Sequence, residues 1–146
     1  MLSSQSAERV GKLTSILRTM LIDLDAGVLA TVADAARVEV FDDFIDHAEH
    51  YLAGNRVPQA GVIAGVVFED TVRKLCAKRG VGTKEAKLDA LISDLERAAF
   101  FTPVKAKRAR AAADVRTRAT HANWDKFEAS DVAATIEITR ELIDLI

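Results

Sequence analysis

The sequence predicts an all-α fold, a bundle of five or six helices around one core. Three observations predict it. Apolar residues recur at helical spacing in every long segment. No stretch alternates apolar and polar residues over a strand's length, and no repeat of 20–50 residues is present. Aromatic residues make up only 5% while alanine is abundant, a composition that favours closely packed helices. With 146 residues, 49% of them apolar, the chain is long enough for one real core, so residues 1–146 are read as a single domain.

The first helix is expected over residues 7–25, where Val10, Leu13, Leu17, Met20 and Leu24 form a stripe widened by Ile16 and Leu21. Gly27 marks a break or a loosened turn. A second helix starts as early as Val28. It sets Val40, Phe41, Phe44, Ile45, Ala48 and Leu52 opposite Asp42, Asp43, Asp46 and Glu49, and Gly54 and Asn55 end it.

Pro58 suits the first turn of the third helix. Its run AGVIAGVVFEDTVRKLCAKRG is apolar nearly all round in the first half, as expected of a central, buried segment. Gly61 and Gly65 share one face and admit a close backbone, either within the chain or at a seam between two copies. Gly80 and Gly82 stop this helix and Thr83 is placed to cap the fourth. Leu88, Leu91, Ile92 and Leu95 give that helix its core stripe, closed by Phe100 and Phe101. Thr102 and Pro103 open a fifth helix that reaches about Thr120. Ser130 or Asp131 caps the last, with Val132, Ile136, Thr139, Ile143 and Ile146 along one side.

The net charge of −2 conceals an asymmetry. Residues 1–70 carry five basic and eleven acidic side chains, residues 71–118 thirteen and five, residues 119–146 two and six. A basic middle between acidic ends suggests either one positive face for a polyanion or charge pairing between helices. The single cysteine, Cys76, excludes an internal disulfide and fits a reducing compartment. The N-terminus lacks the apolar core of a signal peptide, and no apolar run reaches membrane-spanning length. A soluble cytoplasmic protein with no membrane partner is expected.

Most candidate chemistry weighs little. His47 and His50 lie three apart beside Asp46 and Glu49, but no Cys/His pattern or HExxH spacing accompanies them, so no metal ligand is assigned. Adjacent Glu69 and Asp70 point about 100° apart on a helix, which disfavours an acid–base pair, and Arg73 at i+4 makes a surface ion pair with Glu69 the simple reading. Cys76 has Lys74, Lys78 and Arg79 nearby in sequence, yet belongs on the apolar face with Val72 and Leu75. The glycines match neither phosphate-loop nor dinucleotide fingerprints, and no cofactor is expected.

The fifth helix differs. Lys105, Lys107, Arg108, Arg110, Arg116 and Arg118 face a single acid, Asp114. On a helical wheel Lys107, Arg110, Asp114, Arg118 and His121 gather on one side, while Val104, Ala111, Ala112, Val115 and Ala119 gather elsewhere and are expected in the core. An imidazole can move protons at physiological pH and an arginine can hold a phosphate and stabilise charge growing on it. That pair suits metal-free phosphodiester cleavage. The plainer reading is a solvated basic face that ends in a capping histidine.

Residues 41–143 resemble the HEPN superfamily of small helical domains found in bacterial toxins, defence nucleases and some larger eukaryotic proteins. The resemblance rests on Arg116 through His121, an arginine and a histidine separated by four residues. It also rests on the ordered context FDDFIDHAEHYLAGN, AGVIAGVVFEDTVRKLC, a hairpin, VRTRATHANWDKF and a closing helix. It implies metal-independent RNA cleavage at a cleft formed by two copies of the motif in a homodimer, with the ribose 2′-OH as nucleophile and a cyclic phosphate as product. In that scheme His121 is the acid–base, Arg116 the phosphate clamp, Thr117 and Asp114 orient the site, and Lys107, Arg110 and Arg118 bind the RNA backbone. A toxin or antiviral defence role is implied, with a cognate antitoxin or defence-system component as a further partner. Thr117 stands where catalytic members usually carry Asn, Asp or His. The family's non-catalytic members supply the alternative, a helical interaction or dimerisation module. On an unbroken helix Arg116 and His121 lie about 140° apart, so they converge only if the helix ends near Thr120 or if two chains pool residues; Arg118 shares His121's face.

Overall fold

The computed structural model describes residues 4–146, and for residues 23–26, 29 and 30 the backbone alone. Five α-helices are present: α1 (Ser4–Ala53), α2 (Val57–Arg79), α3 (Leu88–Arg97), α4 (Pro103–Thr120) and α5 (Ala129–Ile143), with a short 3₁₀ turn over Trp124–Lys126. Among the described residues there is no strand. No helix among them is long and apolar enough to cross a membrane. The chain divides into two units, residues 1–37 and 38–146.

The expected break at Gly27 is corrected, because α1 runs through it without interruption. A helical glycine costs only about 1 kcal/mol relative to alanine, and the long flanks of good helix formers outweigh that. Thr31 donates its hydroxyl to the Gly27 carbonyl (3.0 Å). The expected stripe on this stretch stands exposed at Val10, Leu13, Ile16, Leu17, Met20 and Leu21, while Leu24 lies outside the described side chains.

Residues 38–146 hold the core. Phe68, Val72 and Leu75 of α2 meet Leu91, Ile92 and Leu95 of α3, with Phe101, Ile138 and Leu142 completing one cluster. Phe41, Ile45 and Ala48 of α1 join Ala60, Ala64 and Val67 of α2, Val115 of α4 and Val132 and Ile136 of α5 in a second. Each large apolar side chain so buried contributes about 1.5–3 kcal/mol. Gly61 and Gly65 serve this packing within the chain. A Cβ at Gly61 would meet the Phe127 ring at 2.6 Å, and one at Gly65 would meet the Arg116 Cα at 2.8 Å. These glycines are therefore closed to a seam between copies.

Helix ends follow local chemistry. Gly80, at φ 67°, closes α2 while Val81 N–H donates to the Cys76 carbonyl (2.9 Å), the left-handed stop that glycine adopts without a Cβ penalty. The same arrangement ends α1, α3 and α4 at Asn55, Ala99 and Ala122, all at positive φ. Thr83 does not cap α3. The helix starts at Leu88 after Lys87, because Arg73 reaches across to the carbonyls of Lys84 (3.3 Å) and Ala86 (3.0 Å) and holds this stretch as a loop. The cap of α5 moves back to Glu128, whose N–H donates to Asp131 Oδ2 (2.8 Å) in a reciprocal box.

Thr102 caps α4 as expected, its hydroxyl accepting from Lys105 N–H at 3.1 Å. Thr102→Ala is expected to lower stability by about 1 kcal/mol, whereas Thr102→Ser is expected to lower it by much less. Urea denaturation midpoints of the two variants check this; equal losses would show that the hydroxyl does not contribute.

Candidate functional site

The candidate site is built on the last two turns of α4. That helix is held by small residues: Ala106, Ala109, Ala112, Ala113, Val115 and Ala119 are buried. The expected core face is corrected at Val104 and Ala111, which are exposed. Alanine serves as core here because α2, α3 and α5 all pack on α4, and close approach on several sides leaves no room for larger groups.

Arg116 emerges beside Gly65 and turns toward α2. Its Nε donates to Glu69 Oε2 (2.5 Å) and its Nη1 to Thr120 Oγ1 (3.0 Å). Thr120 in turn donates to the Arg116 carbonyl (2.8 Å). Glu69 is shared, since its Oε1 accepts from Arg73 Nη2 at 3.0 Å. The i,i+4 pair of Glu69 and Arg73 is as the sequence suggests. The second partner of Glu69 was not, although Glu69 lies one turn beyond Gly65, where α4 crosses. Neighbouring Asp70 has its carboxyl pushed up by burial and by Glu69, against the opposing pull of Arg73 and Arg116.

These groups border an open cleft of about 290 Å³ lined by Glu69, Arg73, Lys87, Asp89, Arg116 and Thr117 among others. One carboxylate between two guanidiniums, with Lys87 and Asp89 at the rim, gives a mixed surface with positive arginine edges. Thr117, exposed, faces this cleft.

His121 does not line it. The residue caps the C-terminus of α4 and is exposed, with Nδ1 at 2.7 Å from the Thr117 carbonyl. A carbonyl only accepts, so Nδ1 carries the proton in this contact and the neutral ring presents Nε2 as its basic atom to solvent. The turn beyond is fixed by Asn123 N–H donating to the Arg118 carbonyl (2.9 Å) and by Ala122 at φ 56°. Within one chain, then, Arg116 and Thr117 share the cleft and His121 stands past the helix end.

The basic ridge is largely committed to other contacts. Arg108 pairs with Glu141 (2.8 Å) and Arg110 with Glu96 (2.7 Å), and Arg118 donates to the Lys126 carbonyl (2.6 Å). Arg73 and Arg116 with Glu69, and Arg108 with Glu141, join the basic middle to the acidic ends, so charge pairing takes up part of the sequence asymmetry. Arg140, within the acidic C-terminal stretch, bridges Asp46 and Glu49 at 2.8 Å each. Lys107 and Asp114 are exposed. Cys76 is buried, and that burial pushes its thiol up to about 11, far from the reactive thiolate range. His47 and His50 are exposed, and among the described residues no group of three or more His, Cys, Asp or Glu is placed to hold a metal. No protein-family model, curated protein or solved structure matches the chain.

Proposed function

We propose that the protein is a HEPN-like RNA-acting domain that cleaves RNA without metal at a cleft assembled from two copies, in a toxin or defence role. The observation that carries this reading is the contact of His121 Nδ1 with the Thr117 carbonyl (2.7 Å), which an Nδ1–H satisfies and which assigns Nε2 of the exposed ring the part of the base. In the proposed reaction Nε2 takes the proton of a ribose 2′-OH, whose oxygen attacks the adjacent phosphorus. The bond to the 5′ oxygen breaks, that oxygen takes a proton from the second His121 of the dimer, and a cyclic phosphate remains. Arg116, oriented by Glu69 and Thr120, stabilises the charge gathered on the phosphate. Thr117 borders the same cleft and orients the site.

The test is incubation of the purified chain with RNA in excess EDTA, with product ends analysed for cyclic phosphate. Cleavage with such ends supports the reading. A second reading, a non-catalytic helical interaction module, is favoured by Glu69, whose carboxylate already occupies the Arg116 guanidinium. Failure to cleave any RNA selects it.

RNA binding is expected to weaken steeply with salt, because each phosphate contact releases counterions. Lys107→Ala with Arg110→Ala is expected to weaken binding about equally across unrelated RNA sequences and to flatten the salt slope by about 1, chiefly through Lys107 because Arg110 is paired with Glu96. Filter binding at several salt concentrations measures it. An unchanged slope would move the RNA face off this ridge.

A further inference from the structure

From the exposed apolar stripe of α1 we infer that residues 10–32 pair antiparallel with the same stretch of a second copy, forming a dimer seam separate from the α4 cleft. Val10, Leu13, Ile16, Leu17, Met20 and Leu21 are each more than half exposed, Leu17 the least at 51%. Val28 and Val32 continue the stripe at similar exposure. Single exposed apolar residues are ordinary, but a continuous stripe of this length marks an interaction surface. Residues 10–32 span about 34 Å at about 1.5 Å per residue. The stripe widens well beyond a single seam position per turn, as a helix does when it meets a whole helical partner rather than a loop.

Two features choose a second copy as that partner. The first is charge. Residues 4–20 carry Arg9, Lys12 and Arg18 against Glu8, while residues 21–37 carry Asp23, Asp25 and Asp34 against Arg37. Lys12 pairs with Glu8 (3.3 Å) and Arg37 with Asp34 (3.1 Å) inside the helix, which leaves the positive excess on Arg9 and Arg18 and the negative excess on Asp23 and Asp25. An antiparallel pair about a two-fold axis near Met20 lays the positive half of each copy on the negative half of the other. A parallel pair would set like charge on like. The second is size. Eight such side chains from each copy, at about 60–120 Å² apiece, remove on the order of 1,000–2,000 Å² from water, within reach of the roughly 1,200–2,000 Å² of stable interfaces. The same axis brings Leu17 and Met20 of both copies together and sets Val10 and Leu13 against the stretch that holds Val28 and Val32.

The experiment is light scattering on the full chain at micromolar concentration, over a range of salt. Wild type is expected at the mass of two chains, and the dimer is expected to weaken as salt screens the paired halves. Leu13→Glu, Leu17→Glu and Met20→Glu together are expected to give the mass of one chain while the cooperative thermal transition of residues 38–146 is retained. Alanine at the same three positions keeps helix propensity and is expected to weaken the dimer by lost area alone. Val104→Glu, at an exposed site on α4, is expected to leave the mass unchanged. A wild-type mass of one chain overturns the inference. So does a two-chain mass that survives both triple variants; that result would place the seam within residues 38–146 and leave the composite cleft standing. A dimer strengthened by salt would overturn the antiparallel direction.

Discussion

His121→Ala is expected to slow RNA cleavage by about 10²–10⁴-fold, the range a positioned acid–base group contributes. The loss follows from removing the Nε2 that the Thr117 carbonyl contact turns outward. Folding is expected to survive, since His121 is exposed and surface substitutions usually cost within about 0.5 kcal/mol. The measurement is single-turnover cleavage in EDTA, with thermal unfolding as the control for structure. Arg116→Ala is expected to act in the same direction, through lost charge stabilisation at the phosphate. Folded His121→Ala cleaving at the wild-type rate would remove the assignment. Where wild type itself is inactive, Thr117→Asn is the informative rescue, because it supplies one of the residue types (Asn, Asp or His) that catalytic members of the resembled family usually carry there.

Gly65→Val is expected to destabilise residues 38–146 by about 3 kcal/mol, at the upper end of the overpacking range. The first added carbon would sit 2.8 Å from the Arg116 Cα, an atom of the α4 backbone that cannot step aside alone. The two further methyls of valine worsen the clash. Cleavage is expected to fall as well, since α4 carries both Arg116 and His121. Gly61→Ala provides the contrast. Its Cβ would meet the Phe127 ring at 2.6 Å, a buried side chain rather than backbone, so the ring must shift within the core, and the gain of about 1 kcal/mol in helix propensity over glycine offsets part of that cost; a smaller loss than for Gly65→Val is expected. Urea denaturation of both variants tests the difference; equal losses would show that the α2–α4 contact tolerates a side chain.

The helices of residues 38–146 were legible because their ends are written in local chemistry. Thr102–Pro103 opens α4 and Gly80 closes α2 where their residue types demand. The core stripe of α3 was equally plain at Leu91, Ile92 and Leu95. The caps of α3 and α5 were not read correctly, and three further features were not legible, each for a physical reason. Gly27 was consistent with a break or with only a loosened turn, and one glycine does not break a helix whose flanks favour it. The buried face of α4 was legible at Ala112, Val115 and Ala119 but not at Ala106, Ala109 and Ala113, because alanine is nearly neutral in hydrophobicity and Val104, which is exposed, weighed more on the wheel. Glu69 was assigned to Arg73 alone because the partner 47 positions away, Arg116, appears only once α4 crosses α2. The separation of Arg116 and His121 was foreseeable from helical geometry, and the end of α4 at Thr120, where it was expected, does not bring His121 into the cleft.

The double grip of Glu69 ties together the loop before α3, the middle of α2 and the last turn of α4. The carbonyls of Lys84 and Ala86 hold Arg73, Arg73 holds one oxygen of Glu69, the other oxygen holds Arg116, and Arg116 holds Thr120. Such a line of charged donors and acceptors polarises along its length. It links the loop before α3 to the final turn of α4, so the loop's backbone acts as an anchor for a guanidinium it never touches. A loop ordinarily free to change in length or sequence is here constrained by two carbonyl oxygens, and through them by the placement of the cleft's principal cation.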